Sequence, residues 1–153
     1  MKNAFMFLLC LFTTIAFGSY AHASYLTIPA AAGASQYTWD HCVPYSGGTI
    51  SDGGSGCLLY FAIPIEAGKT LSSVNVYYYD NSGSQSMSAT LERSTLSSSS
   101  YSALDSASDT STSSSIQYLT LSYGSKTSSS YAYYVKIVLY NGTQLRGIKV
   151  YYY

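Results

Sequence analysis

The sequence has 153 residues, of which 47% are hydrophobic, 16% aromatic and only 9% charged, with 18 tyrosines and a formal net charge of zero. An ordinary soluble domain carries about 25% charge, so solubility here must come from hydroxyl and amide groups. With no basic patch, nucleic acid is excluded as a partner, because that affinity rests on neutralised phosphates.

Residues 1–23 read as a cleavable signal peptide. Lys2 supplies a positive start, residues 4–17 are apolar apart from Cys10, Thr13 and Thr14, and Ala21-His22-Ala23 gives the small-x-small pattern of a cleavage site. The apolar run falls short of the roughly 20 residues needed to cross ~30 Å of hydrocarbon, and no second one follows, so no membrane span is expected in the mature chain. Cys10 follows Leu8 and Leu9 rather than a small residue, which sets lipid attachment aside. The expected location is secreted or periplasmic. The expected mature chain, 24–153, is one domain; losing Lys2 from 7 bases against 7 acids leaves a net charge of −1.

Along that chain, Val, Ile, Leu and Tyr alternate with polar residues at a period of two, and Ser, Gly and Asn separate the runs. Alternation places successive side chains on opposite faces of a strand. Strands are expected near 25–28, 36–42, 57–63, 72–79, 86–94, 116–123, 131–140 and 145–153. No segment carries a helical stripe. About eight short strands at this spacing predict an all-β chain folded as a single antiparallel β-sandwich.

The first run leads to Trp39-Asp40-His41-Cys42. Once Cys10 is lost, Cys42 and Cys57 remain as an even pair in a chain bound for an oxidising compartment. A disulfide between them would close a loop of about 15 residues, worth roughly 3 kcal/mol. Two cysteines and His41 without C-x-x-C spacing are too few for a closed metal site, so no metal and no cofactor are expected. Trp39 precedes both cysteines, unlike the tryptophan set between them in an immunoglobulin domain, which favours a jelly roll.

Asp80-Asn81-Ser82-Gly83 ends the fourth run as a turn. The tract Ser97–Ser115, rich in Ser, Thr, Asp and Ala, reads as a long surface loop. Asn141-Gly142 lies between the last two runs and is a strong hairpin signal. It also fits a glycosylation sequon with Thr143, but the turn accounts for the same residues.

The alternation sorts the faces. Val74, Val76 and Tyr78 oppose Asn75, Tyr77 and Tyr79; Tyr133, Val135, Ile137 and Leu139 oppose Tyr134, Lys136, Val138 and Tyr140; Ile148, Val150 and Tyr152 oppose Lys149, Tyr151 and Tyr153. The lysines and the asparagine mark solvent, so Tyr77, Tyr79, Tyr134, Tyr140, Tyr151 and Tyr153 are expected outside. Six outer tyrosines form a Tyr-rich sheet face. Cross-strand pairing would use them for stability alone, at about 0.2–1 kcal/mol per pair. So much aromatic surface also suits a contact site. Trp39 could add a stacking platform, since an aromatic ring joins a flat apolar face to a polar edge.

Catalytic chemistry has little to stand on. His41 is the one imidazole left after cleavage, no G-x-S-x-G elbow occurs, and the mature acids Asp40, Asp52, Glu66, Asp80, Glu92, Asp105 and Asp109 form no evident pair. Asp52 to Gly56 is oxygen-rich but too poor in carboxylates for calcium. The architecture resembles small exported β-sandwiches, including the jelly rolls of carbohydrate-binding modules and adhesive surface domains. The expected function is non-catalytic binding of a glycan or cell-surface ligand through Trp39 and the outer tyrosines. A structural or self-assembling extracellular protein is the first alternative, and low charge leaves self-association open. A secreted hydrolase built on the Trp39/His41 region is the next. A small outer-membrane barrel comes last, because Gly147 and Lys149 break the apolar alternation that lipid requires.

Overall fold

A computed structural model describes residues 23–35, 42–45, 49–52, 56–80, 87–109, 111, 113–140 and 142–153. Among these residues, two antiparallel sheets contain eleven strands, β1 Ser24–Pro29, β2 Ala34–Ser35, β3 Cys42–Tyr45, β4 Thr49–Asp52, β5 Cys57–Ala62, β6 Thr70–Asp80, β7 Met87–Thr95, β8 Tyr101–Asp109, β9 Ser113–Lys126, β10 Tyr131–Leu139 and β11 Gln144–Tyr152. The first sheet runs β3-β4-β11-β6-β9, with β1 also paired to β11; the second runs β2-β5-β10-β7-β8. Only β3–β4 and β7–β8 join strands that are adjacent in both sequence and sheet. The other connections cross from one sheet to the other, as in a jelly roll. The all-β sandwich read from the sequence is thus the fold.

The core lies between the sheets and follows the alternation. From the first sheet come Val74, Val76, Tyr78, Leu121, Leu145, Ile148 and Val150; from the second come Leu59, Phe61, Met87, Ala89, Leu91, Tyr133, Val135, Ile137 and Leu139, all buried. Each of the buried Val, Leu, Ile, Phe and Met side chains is worth about 1.5–3 kcal/mol of burial. A one-residue slip would put Lys136 and Lys149 in this layer, which is why the register is firm. Tyr152, expected to be buried, is half-buried against the edge of the core.

Cys42 and Cys57 form a disulfide with Cα atoms 5.0 Å apart. It ties β3 of the first sheet to β5 of the second. Three expectations need correction. The tract 97–115 is not one loop, because β8 occupies Tyr101–Asp109 and sends Leu104, Ala107 and Asp109 inward. The chain after Leu139 is not a hairpin either: β10 and β11 belong to different sheets, and the turn carries the chain across the sandwich. Gly142 takes a positive φ of 77° there, and Thr143 donates from its N–H (3.0 Å) and its hydroxyl (2.7 Å) to the Tyr140 carbonyl. Seven of the expected strands are present, and β8 together with β2, β3 and β4, which are too short to show alternation, brings the described strands to eleven; the strand expected at 36–42 lies outside the described residues but for Cys42 in β3. The proposed signal segment up to His22, Trp39, His41 and the turn from Asn81 lie outside the described residues.

Candidate binding face

The outer surface of the first sheet is built by register. Across β1, β11, β6 and β9, one row reads Tyr25–Tyr151–Ser73–Ser122, the next Thr27–Lys149–Asn75–Thr120, and the third Pro29–Gly147–Tyr77–Tyr118. A fourth row aligns Gln144, Tyr79 and Ile116. Period-two alternation alone puts these residues outside, since their neighbours fill the core. The result is two aromatic rows flanking a polar one.

The aromatic rings meet in pairs. Tyr25 and Tyr151 have ring centroids 6.4 Å apart, and Tyr77 and Tyr118 lie 5.6 Å apart, both tilted. Between them, Lys149 places its ammonium 3.8 Å from the Tyr25 centroid and 5.3 Å from that of Tyr151. These are cation–π distances. Thr120 donates its hydroxyl to Asn75 Oδ1 at 3.0 Å, which leaves the Asn75 amide to donate elsewhere. Hydrogen bonds to the side chains of Asn75 and then Tyr151 hold the Tyr77 phenol below its ordinary value, and the Lys149 charge pulls the same way against burial.

Two depressions open on this face. One of about 260 Å³ lies beside Tyr77, bounded by Thr27, Ile116, Arg146, Gly147 and Lys149. The other, of about 420 Å³, is lined by Asn75 and Thr120 together with Tyr118, Tyr151, Tyr152 and Tyr153. Gly147 helps to form the first. It sits at φ 149°, and a Cβ there would meet the Ile28 carbonyl oxygen at 2.6 Å, so β1 and β11 approach too closely for any side chain.

The six tyrosines named from the sequence do not share one face. Tyr77, Tyr79, Tyr151 and the exposed C-terminal Tyr153 belong to the first sheet, whereas Tyr134 lies on β10 of the second and Tyr140 just follows it. A period of two tells inside from outside but not which sheet a strand joins, so the single face splits into two. Tyr134 lines a separate depression of about 240 Å³ with Tyr60, Glu92, Tyr101 and Lys136. Its phenol is pushed up to about 12, by burial first and then by its hydrogen bond and proximity to Glu92. The sequence reading also missed Tyr25 and Tyr118, although the alternation Ile116-Gln117-Tyr118-Leu119-Thr120 carried the signal.

This arrangement offers flat rings, hydroxyls, an amide and two cations. Among the described residues, no three His, Cys, Asp or Glu side chains are grouped to hold a metal ion.

No family model matches the sequence, and no curated protein does. Solved structures do share its fold. A xylan-binding module, CBM15, superposes with a TM-score of 0.56 at 13% identity, covering 85% of this chain and 97% of that one. The C-terminal CBM6 of LamC from Zobellia galactanivorans gives 0.51 at 12% identity over 83% of this chain and 98% of that one. A family two carbohydrate esterase from Cellvibrio japonicus gives 0.50 at 10% identity, with 84% of this chain matching 33% of that one. At such identities the likeness is one of fold: the chain is a jelly-roll-like β-sandwich similar to those of carbohydrate-binding modules.

Proposed function

We propose that the protein is a non-catalytic glycan-binding domain that works outside the cytoplasm and engages its ligand with the outer face of the first sheet. The observation that carries the reading is the display of Tyr25, Tyr151, Tyr77 and Tyr118 around the polar row Lys149–Asn75–Thr120. Tyrosine rings offer apolar faces to the C–H faces of sugars, and their hydroxyls and the amide between them can bond sugar hydroxyls. The fold shared with sugar-binding modules supports the same reading. Location outside the cytoplasm is supported by the Cys42–Cys57 disulfide, since such bonds persist in oxidising compartments.

Affinity electrophoresis and calorimetry against a panel of soluble polysaccharides test this. The wild type should bind at least one, and the Tyr77→Ala, Tyr151→Ala double variant should lose that binding at an unchanged melting temperature. Unaltered binding by a folded double variant would move the site elsewhere.

Assembly with a second copy of the chain is the second reading. It rests on β9, an edge strand whose Ile116 and Tyr118 are 59% and 58% exposed. Unpaired strand edges template pairing with another chain. Light scattering across a concentration series decides it: a monomer at high concentration removes this reading and leaves glycan binding intact.

A further inference from the structure

Among the described residues, the outer rows of the first sheet carry charge of one sign. Lys149 and Arg146 both border the depression beside Tyr77, and among the described residues no carboxylate does. Among the described side chains of the four rows the remainder are Tyr, Ser, Thr, Asn, Gln, Ile and Pro, with no Asp or Glu. Among the described acids, Asp80, Asp109 and Glu92 are buried, Asp105 accepts from the Ser122 backbone N–H, and Glu66 lines a different depression with Lys69 and Tyr152.

Lys149 is also held in place. Its ammonium lies against the rings of Tyr25 and Tyr151, which attract a cation but supply no counter-charge. A cation already ordered by its surroundings loses less side-chain freedom when an anion arrives. Arg146 is exposed, and a guanidinium presents the fork that grips a carboxylate or a sulfate through two hydrogen bonds. About 260 Å³ gives room for one sugar ring rather than a chain segment.

We infer that this depression takes a sugar residue bearing an acidic group, a uronate carboxylate or a sulfate ester, with the ring against Tyr77 and the anion between Lys149 and Arg146. This rests on the glycan-binding reading and narrows it to a ligand class.

Calorimetry of the protein with an oligogalacturonate, a sulfated galactan oligosaccharide and a neutral xylo-oligosaccharide of equal length tests the inference. At about 0.05 M salt one acidic ligand should bind about tenfold more tightly than the neutral one, and the advantage should shrink by about 0.5 M. Preference for the uronate or for the sulfate identifies the source of the anion. The Lys149→Gln, Arg146→Gln double variant should bind acidic and neutral ligands alike, while Lys149→Arg keeps the preference. If that double variant folds poorly, the single Lys149→Gln and the wild-type salt dependence decide. Equal wild-type affinity for neutral and acidic ligands would overturn the acidic class and leave glycan binding standing. Failure to bind any of these or the wider polysaccharide panel would remove both.

Discussion

Tyr78, on β6 of the first sheet, donates a 2.6 Å hydrogen bond to Oδ2 of Asp109, on β8 of the second. The pair bridges the sandwich where apolar packing gives way to polar groups. Tyr78 is 1% exposed and Asp109 8%. Asp109 Oδ1 meanwhile accepts from the N–H and hydroxyl of Ser111 at 2.8 and 2.6 Å. Burial first, then the Asp109 bond, drives the Tyr78 phenol far above its ordinary range, so it stays a donor. Tyr78→Phe removes the donor and keeps the ring. Urea denaturation should show a loss of about 1.5–3 kcal/mol, the range for hydrogen bonds to charged groups. A loss within error would mean that the bond exchanges freely for water.

That bridge also marks where sequence reading stopped. The strands of the central sheets were legible because Val74-Asn75-Val76 and Tyr133-Tyr134-Val135-Lys136-Ile137 alternate without a break. Strand β8 was not. Leu91 pairs with Asp105 and Glu92 with Ala103, so Leu104 is the extra residue of a bulge. The bulge puts inward Leu104 and Ala107 three residues apart, and the remaining positions are small and polar, as suits an edge strand. Asp109 then looks like a loop acid when it is a buried partner of Tyr78. The tyrosine site was half legible: exposure follows from local alternation, but membership of a sheet depends on pairings such as Tyr77 with Tyr118, which no local pattern encodes.

The inner and outer positions should part company under substitution. Ile137 is fully buried, and Ile137→Ala should cost about 2–4 kcal/mol through lost burial and a cavity. Tyr79 is half-buried on the outer face, and Tyr79→Ala should cost at most about 1 kcal/mol for a weakened cross-strand pair. Thermal melts of both variants check this; equal losses would refute the face assignment.

Reduction should weaken the domain. The Cys42–Cys57 bridge spans a sequence separation of 15, and its loss should lower stability by roughly 3 kcal/mol. Denaturation with and without reductant measures the difference. Intact mass should rise by about 2 Da on reduction, one hydrogen per sulfur. Two free thiols in oxidatively folded protein would contradict the bridge.

Alkaline pH should act through Tyr134. Its phenol is raised from 10.0 to about 12, so the folded state holds that proton more tightly than the unfolded chain. The stabilisation linked to it is complete below about pH 10 and is lost as pH rises through about 12. Tyrosinate absorbance should show one step near pH 12 that Tyr134→Phe abolishes, and Glu92→Gln should move that step downward. A Tyr134 step at the ordinary tyrosine value would show that neither burial nor the hydrogen bond to Glu92 raises it.

Gly147 couples the fold to the binding face. A Cβ there would meet the Ile28 carbonyl oxygen at 2.6 Å and the Pro29 Cα at 3.3 Å, both backbone atoms of β1. Backbone cannot swing aside as a side-chain end can, so Gly147→Ala must push β1 away from β11. Its φ of 149° adds strain of about 1–3 kcal/mol for a residue with a side chain. Gly124 separates the two effects: its φ is 66°, yet nothing lies within 4 Å of the added Cβ. Gly124→Ala should therefore show conformational strain alone, about 1–2 kcal/mol. Gly147→Ala should destabilise more, and it should also weaken glycan binding, because displacing β1 carries Tyr25 away from Lys149 and opens the depression beside Tyr77. Melting temperatures and calorimetric affinities of the two variants, measured side by side, give the comparison. If Gly147→Ala matched Gly124→Ala in both, the close approach of β1 and β11 would have no part in shaping the site.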